Sequence, residues 1–318
     1  MQALLLSNGQ LQYVSDYEKP EPLPGEARLR VRLAGICTTD LELVQGYVPG
    51  FYGVPGHEFV GEVVAALDAA WHGRRVVGSI NIGCGTCAVC RKDGPEHCPN
   101  RRALGIHGKD GAFADYLTLP LSNLYAVPEG MADETAVFTE PLAAALRIRE
   151  QVLIRPTAKT AVIGPGRLGL LVGQVLALGG TEVTMLGRHA ASLQLPARWG
   201  LETDLSIVCA DNSFDLVVDA TGNEAGFAEA LRLVRPCGTL ILKSTYAGAA
   251  NIDLSKLVVD EITVVGSRCG PFAPALRLLA QNAIDVTSLI DGNYPLREGA
   301  AAFAHAARSG VRKVLVRP

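Results

Sequence analysis

Thr160-Ala161-Val162-Ile163-Gly164-Pro165-Gly166-Arg167-Leu168-Gly169 reads as a short apolar strand that enters a G-x-G-x-x-G turn and leaves it as an apolar helix. Gly164 permits the tight turn, Gly166 lets the backbone approach a pyrophosphate, and Gly169 lets the helix pack close on the strand. The helix start, with Arg167 and Leu168 just ahead of Gly169, offers free N–H groups and a positive dipole end to phosphate oxygens. Glycine-rich turns are common, so the turn alone says little. Its strand–helix–strand setting favours dinucleotide binding over a purely structural turn.

Working outward, Glu182–Leu186, Asp215–Val218, Thr239–Lys243 and Ile262–Val265 are further short apolar runs separated by helix-like segments. That alternation predicts an α/β unit with a doubly wound parallel sheet covered by helices. Thr221 and Gly222, just past the Asp215–Val218 run, join the cofactor-binding candidates. The first third of the chain is instead strand-rich, at Ala27–Ala34, Phe59–Ala66, Arg75–Ile82 and Ala114–Leu119, punctuated by glycine and proline between Gly46 and Gly56. An Ala-rich helix from Glu298 to Arg308 and a strand from Lys313 to Val316 close the chain. The α/β unit is therefore expected as an insertion, 143–272, in a β-rich domain built from 1–142 and 273–318. A length of 318 residues agrees with two domains at roughly 100 to 200 residues each.

Composition excludes several classes. With 48% hydrophobic and 19% charged residues the chain is globular, not disordered. A net charge of −3 gives no electrostatic reason to expect a nucleic-acid partner. The opening Met1-Gln2-Ala3-Leu4-Leu5-Leu6-Ser7 has no basic region and too short an apolar run for a signal peptide. The most apolar stretch, Leu168 to Leu178, is interrupted by glycines and Gln174, so no membrane span is expected. The cytoplasm is the default location, and eight cysteines there do not suggest a disulfide framework.

The cysteines are unevenly placed. Cys84-x2-Cys87-x2-Cys90-x7-Cys98 supplies four thiolates within one loop, the set for a closed tetrahedral zinc site. A ferredoxin-type cluster is the competing reading, since such runs also end in Cys-Pro, as Cys98-Pro99 does. Its last spacer is shorter and a second cluster motif is missing, so zinc with a stabilising role is favoured. A second constellation combines Cys37-Thr38-Thr39-Asp40, Gly56-His57-Glu58 and Thr139-Glu140-Pro141-Leu142. A thiolate, an imidazole and a carboxylate from distant segments suit a catalytic zinc with its fourth position open. Singly, Cys37 is readable as a small buried hydrophobe, His57 as a turn histidine and Glu140 as a capping acid. Their company favours the metal.

Where the second parallel strand ends, an NAD site usually carries an acid for the ribose 2′-hydroxyl. Here stand Gly187 and the cationic Arg188. A missing carboxylate removes repulsion against a 2′-phosphate, and a guanidinium can bind it bidentately. This favours NADP(H) over NAD(H); the alternative makes Arg188 a plain surface cation.

At these residues the chain resembles the zinc-dependent medium-chain alcohol dehydrogenases of the polyol, sorbitol or threonine dehydrogenase type. The resemblance spans essentially the whole chain and rests on four motifs in order: Gly56-His57-Glu58-Phe59-Val60-Gly61, the four-cysteine loop, Glu140-Pro141-Leu142-Ala143 and the Gly164 to Gly169 turn. It implies a GroES-like catalytic domain holding a Rossmann domain. It implies that Cys37 and His57 are catalytic zinc ligands, that Glu140 is the third, and that Glu58 binds the zinc directly or exchanges with a water. Asp40 then orients the histidine, and Thr39 takes the substrate proton. Two departures matter. Glu42 stands where many members have a proton-relaying histidine, and the chain is short for the family.

The implied chemistry is hydride transfer between a small secondary alcohol or polyol, or its carbonyl partner, and NAD(P), with one zinc as Lewis acid and a second, structural zinc. A zinc-free quinone or enone reductase on the same fold would have no need of Cys37, His57 and Glu140 together. A non-catalytic nucleotide or redox sensor would show a degraded ligand set, and a zinc-ribbon nucleic-acid binder conflicts with the acidic balance. The expected partners are a small alcohol or carbonyl substrate and other copies of the chain, as a homodimer or homotetramer.

Overall fold

The computed structural model describes residues 1–245 and 252–318. The chain forms two compact units, Pro141–Pro271, and Met1–Glu140 together with Phe272–Pro318.

In the first of these, the described residues form a six-stranded sheet in the order Glu202–Leu205, Glu182–Gly187, Lys159–Ile163, Phe214–Asp219, Val234–Leu242, Thr263–Gly266. Every neighbouring pair is parallel. Parallel strands need both faces covered, and Ala161, Val162, Val217, Val218, Leu240 and Ile241 are all fully buried. The strand order reverses between Lys159–Ile163 and Phe214–Asp219, and the crevice at such a reversal is where open α/β sheets take ligands. Glu202–Leu205 escaped the sequence reading. It is a polar edge strand with no apolar run to announce it.

The other unit centres on the ten-residue strand Glu26–Gly35. It pairs antiparallel with Glu58–Ala66 along most of its length and with Tyr116–Pro120 over its first half. At its far end, Ala34 and Gly35 pair with Val316 and Leu315 of strand Lys313–Arg317. The end of the chain is thereby brought beside the segment that leads into Cys37. Ala3–Ser7 and Gln10–Val14 add an antiparallel hairpin.

One expected strand is broken. Arg75–Ile82 divides into Arg75–Gly78, paired with Leu124–Ala126, and Asn81–Ile82, paired with Arg102–Leu104. The Asn123 amide donates to the carbonyls of Ser79 at 2.9 Å and Asn81 at 2.8 Å, so a side chain satisfies acceptors where the strand changes sheets.

The phosphate turn explains its own glycines. Gly164 has φ +95°, a conformation costly for any residue with a Cβ. A Cβ on Gly169 would stand 2.0 Å from the Gly164 carbonyl oxygen, so only glycine lets the helix Gly169–Ala177 start there. Gly166 faces open space. We expect Gly169→Ala to force the backbone apart and destabilise the fold by about 1–3 kcal/mol, read by chemical denaturation, while weakening dinucleotide binding in a direct titration. Wild-type stability and affinity in that variant would contradict this account of the turn.

Candidate active site and metal centres

Cys37 sits at the N-cap of helix Thr38–Val44, immediately beyond strand Glu26–Gly35. Asp40, in the first turn of that helix, is fully buried. Its carboxylate accepts from the Cys37 N–H at 2.8 Å and from the Gly56 N–H at 3.2 Å. One buried acid thus holds two loops, one carrying Cys37 and one carrying His57. His57 Nδ1 lies 3.3 Å from Asp40 Oδ1, yet this buried nitrogen makes no hydrogen bond, so the contact is electrostatic. Burial works against a charged imidazole, but the Asp40 carboxylate and the Cys37 thiol beside it win and hold its pKa well above 6.5. A metal bound here must displace that proton.

Ligating atoms of Cys37, His57 and Glu58 all lie within 4.8 Å of one another. Donors about 2.0–2.3 Å from one zinc stand roughly 3.3–3.8 Å apart, so this set can close on an ion with small side-chain adjustments. Sulfur, nitrogen and carboxylate oxygen are zinc donors, and three of them leave a coordination position for substrate. Glu140, in the first turn of helix Thr139–Gln151, is half-buried and is not a member of that trio. Thr39 lies half-buried in the first turn after Cys37. Glu42, further along the same helix, has its carboxyl pushed up by burial.

A residue that sequence reasoning passed over completes the site. Lys313, the first residue of strand Lys313–Arg317, is 4% exposed and its ammonium pairs with Glu58 Oε2. Motif reading had no signal for it, because the two residues are 255 positions apart. The signal available was weaker: a lysine placed directly before the apolar run Val314-Leu315-Val316, with which it is buried.

The four-cysteine loop forms a second centre. Cys84, Cys87, Cys90 and Cys98 have sulfurs within 4.8 Å of one another, with Cys84 to Cys90 and Cys87 to Cys98 each at 4.0 Å. Four sulfurs about 2.3 Å from one ion would lie roughly 3.8 Å apart, so the cage already has nearly that size. Backbone and hydroxyl donors of Thr86 pull the Cys84 thiol down to about 6. Burial and the surrounding sulfurs push Cys90 up to about 12. Four thiolates repel one another unless a cation sits among them, and a dication fits that need.

In the α/β unit, Thr221 and Gly222 follow strand Phe214–Asp219, and Thr221 is fixed by its N–H and hydroxyl donating to Asp219 at 2.9 and 2.7 Å. Arg188 is exposed beyond strand Glu182–Gly187. Gly187 is tighter than its sequence context suggests: a Cβ there would meet Ser192 Oγ at 3.0 Å and Pro165 Cγ at 3.2 Å. Packing against the phosphate turn, as well as cofactor choice, therefore bears on the missing acid.

Comparison with known proteins agrees with this architecture. Residues 23–129 match the alcohol dehydrogenase GroES-like domain family, and residues 168–281 match the zinc-binding dehydrogenase family. A sorbitol dehydrogenase of Halalkalibacterium halodurans is 29% identical, covering 100% of this chain and 99% of its own. Among solved structures, a zinc-binding dehydrogenase of Sinorhizobium meliloti bound to NADP superposes with a TM-score of 0.91 at 29% identity, over 100% of this chain and 99% of the other. An alcohol dehydrogenase of Escherichia coli CFT073 complexed with NADH also reaches 0.91, at 25% identity, with the same coverage. With the Cys37, His57 and Glu58 cluster, the phosphate turn and both family matches in agreement, the chain belongs to the zinc-type medium-chain alcohol dehydrogenase family, and it is an NAD(P)-dependent alcohol dehydrogenase.

Proposed function

We propose that the chain interconverts a small secondary alcohol or polyol and its ketone or aldehyde, using NADP(H) in preference to NAD(H), with one zinc at the Cys37 centre and one in the four-cysteine loop. The observation that carries this reading is the convergence of Cys37, His57 and Glu58 around the buried Asp40 carboxylate. Zinc bound there supplies Lewis acidity to the substrate oxygen, and the nicotinamide supplies or accepts the hydride. Cys37 and His57 hold the ion, with Glu58 or Glu140 as the carboxylate ligand. Asp40 fixes the imidazole, and Thr39 accepts the hydroxyl proton. Glu42, raised by burial, is suited to pass that proton outward in place of a histidine. The sorbitol dehydrogenase relative supports a polyol-type substrate.

The phosphate turn from Gly164 to Gly169 binds the pyrophosphate, with Thr221 and Gly222 beside it, and Arg188 takes the 2′-phosphate. The solved relatives hold NADP in one case and NADH in the other, so cofactor choice rests on Arg188 and the absent acid at Gly187. A homodimer or homotetramer is supported by an apolar edge: Thr263–Gly266 is the last strand of its sheet, and Leu254, Val258 and Val259 on helix Leu254–Val259 are exposed. Both metal sets need reduced cysteine, which supports a cytoplasmic protein.

Three measurements test these points. Native mass spectrometry should find two zinc ions per chain. Cys37→Ser should remove one ion and abolish turnover with the fold intact, whereas Cys87→Ser should remove the other and lower the melting temperature; one ion, or an iron–sulfur absorption band, would refute the assignment. Arg188→Ala should weaken NADPH by roughly five- to 150-fold, equivalent to about 1–3 kcal/mol, and leave NADH nearly unchanged. Tighter binding of NADH than NADPH by the wild type would defeat the preference. Val258→Lys should shift the sedimentation profile toward monomer, and an unchanged profile would place the subunit interface elsewhere.

A further inference from the structure

We infer that Lys313 is a positioning residue that restrains Glu58, keeping this carboxylate a loose and displaceable partner of the metal at the Cys37 centre. The inference rests on the reading of Cys37, His57 and Glu58 as that centre.

Lys313 reaches both ligand-bearing segments. Its ammonium pairs with Glu58 Oε2, on the residue after His57, and lies 3.5 Å from the Ile36 carbonyl, on the residue before Cys37. It also lies 5.6 Å from the centroid of the Phe138 ring, whose face favours a cation. Lys313 and Glu58 are 4% and 1% exposed, so neither solvates its charge in water. Space for the pair is made by Gly35: a Cβ there would stand 2.7 Å from Glu58 Oε2 and 3.3 Å from Lys313 Cδ. Backbone pairing fixes the lysine, because the Ile36 N–H donates to the carbonyl of the next residue, Val314, at 2.9 Å.

The consequence for the metal is electrostatic. The Lys313 ammonium takes one lone pair of Glu58 Oε2 and holds the carboxylate toward itself. It also draws negative charge away from both oxygens, which weakens them as donors to an ion held by Cys37 and His57. A free Glu58 would present both oxygens and its full charge, would bind a divalent ion more tightly, and would compete with substrate for the open position. A buried ion pair contributes little net stability, and an apolar pair of similar volume often serves as well. Its presence beside the ligand set is therefore better explained by what it does to Glu58 than by folding.

The test is a double-mutant cycle on the full-length holoenzyme: wild type, Lys313→Met, Glu58→Gln and the double variant. Zinc affinity at the Cys37 centre is measured by competition with a chelator, and the visible spectrum is recorded after cobalt substitution. Outer partners of metal ligands typically change metal affinity or activity by about 10–100-fold. We expect K313M to bind zinc at least tenfold more tightly, to shift the cobalt spectrum and to lose kcat more than KM. The same change on the E58Q background should do none of these, and Lys313→Arg should restore wild-type behaviour. An equal effect of K313M in both backgrounds would show that the lysine acts by its field alone. That result, weaker zinc binding in K313M, or no change at all would overturn the inference. Should K313M fail to fold, Lys313→Gln replaces it in the cycle: its amide keeps a donor without the charge, so zinc binding should tighten by less than in K313M and not at all on the E58Q background, and no change in either background would overturn the inference. If Cys37→Ser leaves the wild-type zinc count unchanged, the metal-site reading itself has failed; a flat cycle on a site that does bind zinc removes only the role given to Lys313.

Discussion

The Asp40 carboxylate is the constraint on which the site depends. It is fully buried, and a buried charge persists only where hydrogen bonds compensate its lost hydration. Here the compensation comes from backbone N–H groups on two separate segments, Cys37 and Gly56. Each bond is charge-assisted and therefore stronger than a neutral one. The spacing of the two loops is set by one side chain, and with it the distance between the sulfur and the imidazole. The same carboxylate then sets the electrostatics of His57, opposing the effect of burial.

A second buried charge pair, Glu58 with Lys313, adjoins the same ligand segments, with the ammonium also 3.5 Å from the Ile36 carbonyl. The ends of helix Thr38–Val44 and strand Glu58–Ala66 thus gather a half-buried thiol with a buried imidazole, two buried carboxylates and a buried ammonium. In such surroundings charges interact far more strongly than at a surface, and the placement of each matters more than its number. The four-cysteine loop solves a different problem. Its cysteines come from one short stretch of chain, with Cys98 buried and the other three more open, and an ion bound there would cross-link that loop.

The α/β unit relies on steric constraints in place of charge. Gly164 and Gly169 approach each other so closely that a methyl group on the second would meet the carbonyl of the first, while Gly166 is left open for a phosphate to approach. A pyrophosphate bound there, as proposed, would need no side-chain charge, because a helix start supplies N–H donors. Gly187 and the exposed Arg188 stand at the end of strand Glu182–Gly187, where the proposed choice between dinucleotides would be made. Gly187 serves both purposes, since its missing side chain removes an acid and also makes room for Pro165 and Ser192.

What the sequence by itself determined was local. The G-x-G-x-x-G turn, the four-cysteine loop and the apolar runs of the parallel sheet depend on residues close together in the chain, so spacing alone carries their geometry. The zinc-type medium-chain family was legible for the same reason, as four short motifs in order. Tertiary structure decided what depends on distant segments. Strand Arg75–Ile82 divides between two sheets, and Asn123, from elsewhere in the chain, takes the carbonyls left at the break. Glu58 is brought within 4.8 Å of the Cys37 and His57 donors. Lys313 becomes part of the site only because the last strand pairs against Ala34 and Gly35. A lysine with no neighbouring motif gives no sign of its role until the sheet brings a carboxylate to it and excludes the water that would otherwise solvate both.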